Sequence, residues 1–481
     1  MTAANPDGSA QDRARLAAVE AQILGRAPEH HLVPTLDRIR AVTDLLGSPQ
    51  LDVPAIHITG TNGKTSTARM IEALLRHHGL NTGRFTSPHL HDLRERIAIR
   101  GAPIRVGAFL DAYDEIMPAV TMVDERACAA GEPTVTYFEF LVALAVAAFA
   151  DAPVDVAVVE VGMGGSWDAT NVIDARVAVL TPIDLDHQVY LGETLTEIAG
   201  EKAGILKAGG RSVSGVQEMD VVEVLLDRAE HVGNRIAFEG HEFGVLARQD
   251  AVGGQMVSLR GFGGDYPDVF LPLYGAHQAH NAALAVAAVE CFLHAAPDPA
   301  PAPADTGPPP AAGAVVALDP DVVREAFAAV TSPGRLEVVR RSPTVLVDAA
   351  HNPAGATVLA NSLSEAFAFT RTIGLVAILA EKDARGILEA LEPVFDEVVV
   401  SRSASPRAMP VRRLAELAAE VFGSHRVTAV ANLPDAVEVA AGLADEAGPG
   451  AGVVATGSVT TAADVRMLLG AGRDGADPPI P

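Results

Sequence analysis

The chain of 481 residues is too long for one compact domain, and with half its residues apolar it can bury a large Ala/Val/Leu core. A formal charge of −25 argues against nucleic acid or an anionic membrane as partner, so any phosphate or carboxylate substrate must meet a local cluster of cations, metal or backbone N–H groups. Two cysteines, Cys128 and Cys291, make no disulfide framework and fit a reducing, cytoplasmic setting.

Residues 1–26 carry several charges and no apolar core of a signal peptide. Near-continuous apolar runs then alternate with Ala/Leu-rich helical stretches. They include Ala55–Thr59, Val154–Val161, Val177–Leu180, Thr344–Asp348 and Ile373–Leu379. Such runs suit parallel strands covered on both faces, and the class expected is α/β, doubly wound. The longest apolar run, Phe138–Ala150, contains Glu139, is too short for a bilayer and reads as a buried helix.

The first strand runs into Gly60-Thr61-Asn62-Gly63-Lys64-Thr65-Ser66, and a helix pattern opens there. Gly60 and Gly63 let backbone N–H groups approach phosphate oxygens, the helix N-terminus adds its dipole, and Lys64 supplies a compact charge. The spacing is two residues shorter than the common phosphate loop, but the strand before it and the helix after it point to ATP.

Three more segments place polar groups at strand ends: Ser87 beside Pro88, Glu160 ahead of a glycine-rich stretch, and His187 after Asp184-Leu185-Asp186. Singly, His187 reads as a satisfied loop histidine and Glu160 as a capping or ion-pair carboxylate. Behind a phosphate loop, a hydroxyl, a carboxylate and an imidazole together suit a hard to borderline cation. Of 36 basic residues only four are lysine, namely Lys64, Lys202, Lys207 and Lys382. Lys202 sits between Ala and Gly residues, which suggests a crowded backbone rather than a solvated charge. Chance survival in an arginine-rich chain is the bland alternative.

Residues 297–314 are Pro/Ala-rich and read as an exposed insertion. A short helix follows over Asp319–Val330, with Asp319 as N-cap and Pro320 at its first position. Ser332-Pro333-Gly334 then breaks the chain, dividing it into an N-terminal domain, 1–332, and a smaller C-terminal α/β domain, 333–481.

The motifs read in order as Gly-Thr-Asn-Gly-Lys (60–64), Ser-Pro-His-Leu (87–90), Glu-Val-Gly-Met-Gly-Gly (160–165), Asp-Ala-Thr-Asn (168–171) and Asp-His (186–187). They continue as Glu-Lys-Ala-Gly-Ile (201–205), His-Gln-x-x-Asn-Ala (277–282), Pro-Gly-Arg-Leu-Glu (333–337) and Asp-Ala-Ala-His-Asn-Pro (348–353). Together they resemble the folylpolyglutamate synthase/dihydrofolate synthase family, relatives of the Mur ligases, over roughly residues 30 to 470. The chain departs from that pattern at Ser166, where the family carries arginine, and at Glu381, where it carries aspartate.

The resemblance implies a P-loop domain plus a Rossmann-like domain and an ATP-dependent ligase. It would join L-glutamate to dihydropteroate, to folates or to both, through an acyl phosphate. Gly60, Thr61, Asn62, Gly63, Lys64, Thr65 and Ser66 would hold the ATP phosphates, and Asn281 would contact adenine. Ser87, Glu160 and His187 would bind Mg²⁺, and Lys202, carbamylated by CO₂, would help hold a second Mg²⁺. Arg335, Asp348 and His351 would reach the nucleotide or the reacting phosphate from the C-terminal domain. A monomer acting only on small molecules is expected. The alternatives are another Mur-type amino-acid ligase, which shares the phosphate loop and the modified lysine, and a P-loop ATPase switch, which has no use for Asp348 and His351.

Overall fold

The computed structural model describes residues 8–27, 34–294 and 317–471. The Pro/Ala-rich segment expected as an insertion lies outside the described residues. Among those described, no helix is long and apolar enough to cross a membrane.

The first sheet is built from β1 (Ala55–Thr59), β2 (Thr82–Phe85), β3 (Ile97–Ile99), β4 (Ala102–Pro103), β5 (Val156–Glu160), β6 (Val177–Leu180), β7 (Arg211–Ser214) and β8 (Arg235–Phe238). Its order is β4-β3-β2-β5-β1-β6-β7-β8. All pairings are parallel except β2–β3 and β3–β4. Every residue of β1 and of β5 is buried, as the unbroken apolar runs require of central strands covered on both faces. One face packs on the helices Lys64–His77 and Ala276–Leu293, the other on Val106–Ala130 and Tyr137–Asp151. Glu139, the charge inside the longest apolar run, closes a capping box with Thr136 and takes Arg38 on its carboxylate. A buried acid is tolerable there because both its oxygens are paired.

An antiparallel sheet follows, of β9 (Gly244–Ala251), β10 (Gly254–Arg260) and β11 (Asp265–Leu271). The helix Pro320–Ala328 starts as expected, Asp319 accepting the N–H of Asp321, and ends two residues earlier than the pattern suggested. A second mostly parallel sheet comprises β12 (Glu337–Arg341), β13 (Thr344–Val347), β14 (Arg371–Val376), β15 (Glu397–Val400), β16 (Val427–Ala429) and β17 (Ala451–Thr456). Its order is β12-β13-β17-β14-β15-β16, with β12 antiparallel at the edge. The run Ile373–Leu379 stops pairing in this sheet at Val376, and Leu379 bridges Ala408 instead. The loop after β6 meets the loops after β13 and β14 through Asp186, Asn352 and Lys382, so the two sheets join at the carboxyl ends of parallel strands, which is where α/β folds hold ligands.

Candidate active site

β1 ends at Thr59 and the chain turns on Gly60 and Gly63 into the helix Lys64–His77. Both glycines have positive φ, 142° and 90°. A Cβ on Gly60 would fall 1.9 Å from Thr181 Oγ1, and one on Gly63 would fall 2.7 Å from Asn281 Oδ1. Only glycine fits either place. The N-cap is Gly63, which has no side chain to take up the first N–H groups of the helix, and this leaves them for an anion. Thr61 ties the loop to the segment after β6 through reciprocal 2.9 Å bonds with the backbone of Asp184.

Two lysines converge on one carbonyl. Lys64 Nζ donates to Gly60 O at 3.0 Å and to Thr61 O at 3.1 Å, and Lys202 Nζ donates to the same Gly60 O at 2.9 Å. Lys202 is buried, 4% exposed, beneath a glycine-rich turn. A Cβ on Gly165 would meet the Glu201 and Lys202 carbonyls at 2.8 Å, and one on Gly204 would meet Ser166 Oγ at 2.1 Å. Ser166 donates both its N–H and its hydroxyl to Glu201 O, so here it serves this close packing. Burial, then the charge of Lys64, lowers the Lys202 pKa to about 7. Its amine is therefore substantially neutral near neutral pH. Burial also lowers Lys64, against the attraction of Glu160 and Asp186.

Glu160 ends β5, 1% exposed. Both its oxygens take the Thr65 hydroxyl at 3.0 Å, and the Ser87 N–H reaches one at 3.4 Å. Burial pushes its pKa up, with Lys64, Thr65 and Arg335 opposing. The groups that bond to it are neutral, so a buried carboxylate stands beside two hydroxyl residues with room in its chemistry for a hard cation. His187 occupies a left-handed backbone at φ 53°, and burial lowers its imidazole to about 3, keeping the ring neutral.

The second sheet supplies the other wall. Asp348 follows β13, and its oxygens accept the N–H groups of Leu336 and Ala350, both at 2.8 Å. Burial raises its pKa, and Arg335 is the main opposing charge. His351 places Nδ1 3.0 Å from Ala349 O and Nε2 3.5 Å from Asp186 Oδ2. Asn281 is buried, bonded to Gln278 and set against Gly63 of the phosphate loop.

Four residues given no site role from the sequence stand among these. Asp186 accepts Lys382 Nζ at 2.6 Å, Asn352 Nδ2 at 3.0 Å and the N–H of His187 at 2.8 Å. Burial opposes its ionisation, but the hydrogen bond from His351 and the charge of Lys382 hold its pKa far below the usual carboxylate range. Asn352 also exchanges hydrogen bonds with Asn62 of the phosphate loop, and Ser66 meets Ser332 at 2.9 Å. Signals for three of them stood in the sequence. Lys382 is one of only four lysines, Asp186 precedes His187, and Asn352 follows His351 in the same motif.

This geometry fits the likenesses found among known proteins. Residues 113–289 match the Mur ligase middle domain and residues 334–459 the Mur ligase glutamate ligase domain. A dihydrofolate synthase/folylpolyglutamate synthase of Mycobacterium tuberculosis is 50% identical over 95% of this chain and 94% of its own. The structure of the M. tuberculosis folylpolyglutamate synthase complexed with ADP superposes with a TM-score of 0.88 at 50% identity, covering 95% of this chain and 99% of that one. E. coli FolC in complex with DHPP and ADP gives a TM-score of 0.79 at 27% identity, over 95% and 98% of the two chains. With phosphate loop, two lysines sharing one carbonyl and two sheets meeting at the site, the chain belongs to the folylpolyglutamate synthase/dihydrofolate synthase family of the Mur ligases and is an ATP-dependent amide-bond ligase.

Proposed function

We propose that this ligase joins L-glutamate to dihydropteroate and to reduced folates, using ATP to activate the acceptor carboxylate. The observation that carries the reading is the convergence of Lys64 and Lys202 on Gly60 O beside buried Glu160, with Asp186 bound from the facing sheet by Lys382 and Asn352. A carboxylate is a poor electrophile. Transfer of the γ-phosphoryl group to one of its oxygens makes an acyl phosphate; the glutamate amine then attacks the carbonyl carbon and phosphate leaves with the C–O bond.

In this reading the loop from Gly60 to Ser66 cradles the phosphates, with Asn281 supporting it from below and serving the adenine side. Lys64 and Arg335 neutralise charge as the phosphoryl group moves. Asp348 holds the turn that carries Arg335, and His351 stands at the reacting phosphate. Ser87, Glu160 and His187 fit Mg²⁺ by their donor chemistry. Lys202, whose pKa burial lowers to about 7 so that its amine is about half neutral near that pH, fits carbamylation and a second Mg²⁺. When bound, the cations supply charge neutralisation at the phosphates. The boundary at 332/333 lets the two domains close on the nucleotide as a cytoplasmic monomer.

The test is product mass after incubation with Mg-ATP, bicarbonate, L-glutamate and either dihydropteroate or tetrahydrofolate. Gain of one glutamyl unit on both acceptors is the expected result. Gain on dihydropteroate alone removes the folate half of the reading, and no gain on either overturns it.

A further inference from the structure

The motif Pro-Gly-Arg-Leu-Glu contributes Arg335 to the site but leaves Glu337 without a task, and Ser-Pro-His-Leu contributes only Ser87. The structure joins the two motifs through a third element. Arg466, in the helix Val459–Leu468, places Nε and Nη2 on the Glu337 carboxylate at 2.7 and 3.1 Å. Glu337 also accepts the N–H of Gly334 at 2.7 Å, so it braces the turn from which Arg335 projects. The remaining arm of Arg466, Nη1, crosses to the first sheet's side and meets His91 Nε2 at 2.8 Å. Beside this bond, a Cβ on Gly334 would lie 3.4 Å from Leu90 Cδ2.

The Ser87 loop is itself stiff. The Glu95 carboxylate accepts the N–H groups of Leu90, His91 and Asp92, and Arg96 holds His89. A pull on His91 is therefore passed along a fixed loop to Ser87. Arg466 is 6% exposed. Its bidentate bond to Glu337 already balances the buried charge within one unit. The bond to His91 is the added one. It is a single charge-assisted hydrogen bond to a neutral acceptor, and both ends rehydrate when the units part. That suits a latch made and released at each turnover.

We propose that His91, Arg466 and Glu337 form an interdomain clamp that sets the Ser87 loop against the Arg335 turn, making them positioning residues for phosphoryl transfer. The inference rests on the reading in which Ser87 and Arg335 serve the nucleotide. The holoenzyme is assayed with Mg-ATP varied, for wild type, His91→Phe, His91→Gln, Arg466→Lys, and His91→Phe combined with Arg466→Lys. His91→Phe and Arg466→Lys each lower kcat/KM for Mg-ATP about tenfold, because small misplacements at a distance are costly. The combined variant loses no more than the worse single one, as members of one contact do. His91→Gln, which keeps an acceptor, recovers most of the rate. The melting temperature of His91→Phe stays near that of the wild type.

Wild-type kcat/KM for His91→Phe, or losses that simply multiply in the combined variant, overturns the clamp. If Arg466→Lys fails to fold, the two His91 variants decide alone. Ser87→Ala and Arg335→Ala separate the two levels. If both turn over like wild type, the reading beneath the clamp falls; if both are crippled while His91→Phe is not, the clamp alone falls.

Discussion

Lys382→Met tests whether the Asp186 contact across the two sheets governs turnover. Methionine keeps most of the stem and removes an ammonium that meets Asp186 at 2.6 Å, with both side chains only 10% exposed. Removing one partner of a buried ion pair costs about 3–5 kcal/mol because the other charge is left uncompensated. Asp186 would retain the His187 N–H at 2.8 Å and Asn352 Nδ2 at 3.0 Å. Those two donors bring the expected cost below that range, to about 2–3 kcal/mol. The loss falls on the closed arrangement alone, since the partners belong to different sheets and rehydrate when they part. At about 1.4 kcal/mol per factor of ten, kcat/KM should fall about 30- to 150-fold. Steady-state product formation with Mg-ATP measures it. Adding Asp186→Asn to Lys382→Met removes the orphaned charge, and part of the rate should return. A Lys382→Met enzyme within about threefold of wild type, or a coupling in the double-mutant cycle below about 0.5 kcal/mol, refutes the reasoning.

Three further outcomes are expected. Lys202→Ala should abolish ligation while the protein stays folded, and wild-type turnover in that variant would remove the carbamate role. Gly63→Ala should lose ATP binding as seen by calorimetry, because its Cβ would stand 2.7 Å from Asn281 Oδ1 at a backbone φ of 90°; unchanged affinity would mean the loop relaxes freely. For pH, His57 is buried against Thr170, and burial is the first cause that lowers its pKa from 6.5 to about 3. The unfolded chain takes up the proton first, so this contribution is whole above pH 6.5 and is lost as pH falls toward 3. Relative to His57→Gln, the wild type should lose about 2 kcal/mol of stability by about pH 5, read from paired denaturation curves. Parallel pH profiles would contradict this.

What the sequence disclosed was the part of the site encoded locally. A buried strand, a glycine turn and a helix lie within the run Ala55–His77, so the phosphate loop needs no knowledge of the fold. Glu160 and His187 were legible for a similar reason, since Glu160 ends one apolar strand and His187 stands in the loop that follows another. The contacts that close the site are another matter. Lys382 and Asp186 are 196 positions apart, Ser66 and Ser332 266, Asn62 and Asn352 290, and Arg466 and His91 375. No local period or propensity carries such pairings; they follow from which strands neighbour which, and strand order is a tertiary property. The same holds for the antiparallel edges β3–β4 and β12, short strands whose pairing is set by their neighbours.

The scarcity of lysine has a physical explanation once the positions are seen. Composition drift alone would scatter four lysines over the surface, where arginine replaces them at little cost. Instead Lys64 and Lys202 donate to one carbonyl, Lys382 is paired with Asp186, and Lys207 donates to Asn171 O, the last residue of the motif 168–171. An arginine at 202 would stay charged under any burial and would have no neutral amine to offer. An arginine at 64 would bring a planar fork where two loop carbonyls, Gly60 O and Thr61 O, take a compact ammonium. A chain with net charge −25 that must collect anionic substrates needs its cations concentrated rather than numerous. Lysine is thus kept where compactness or a loss of charge is required, and arginine serves where a fixed charge and a bidentate grip suffice, as Arg466 does on Glu337.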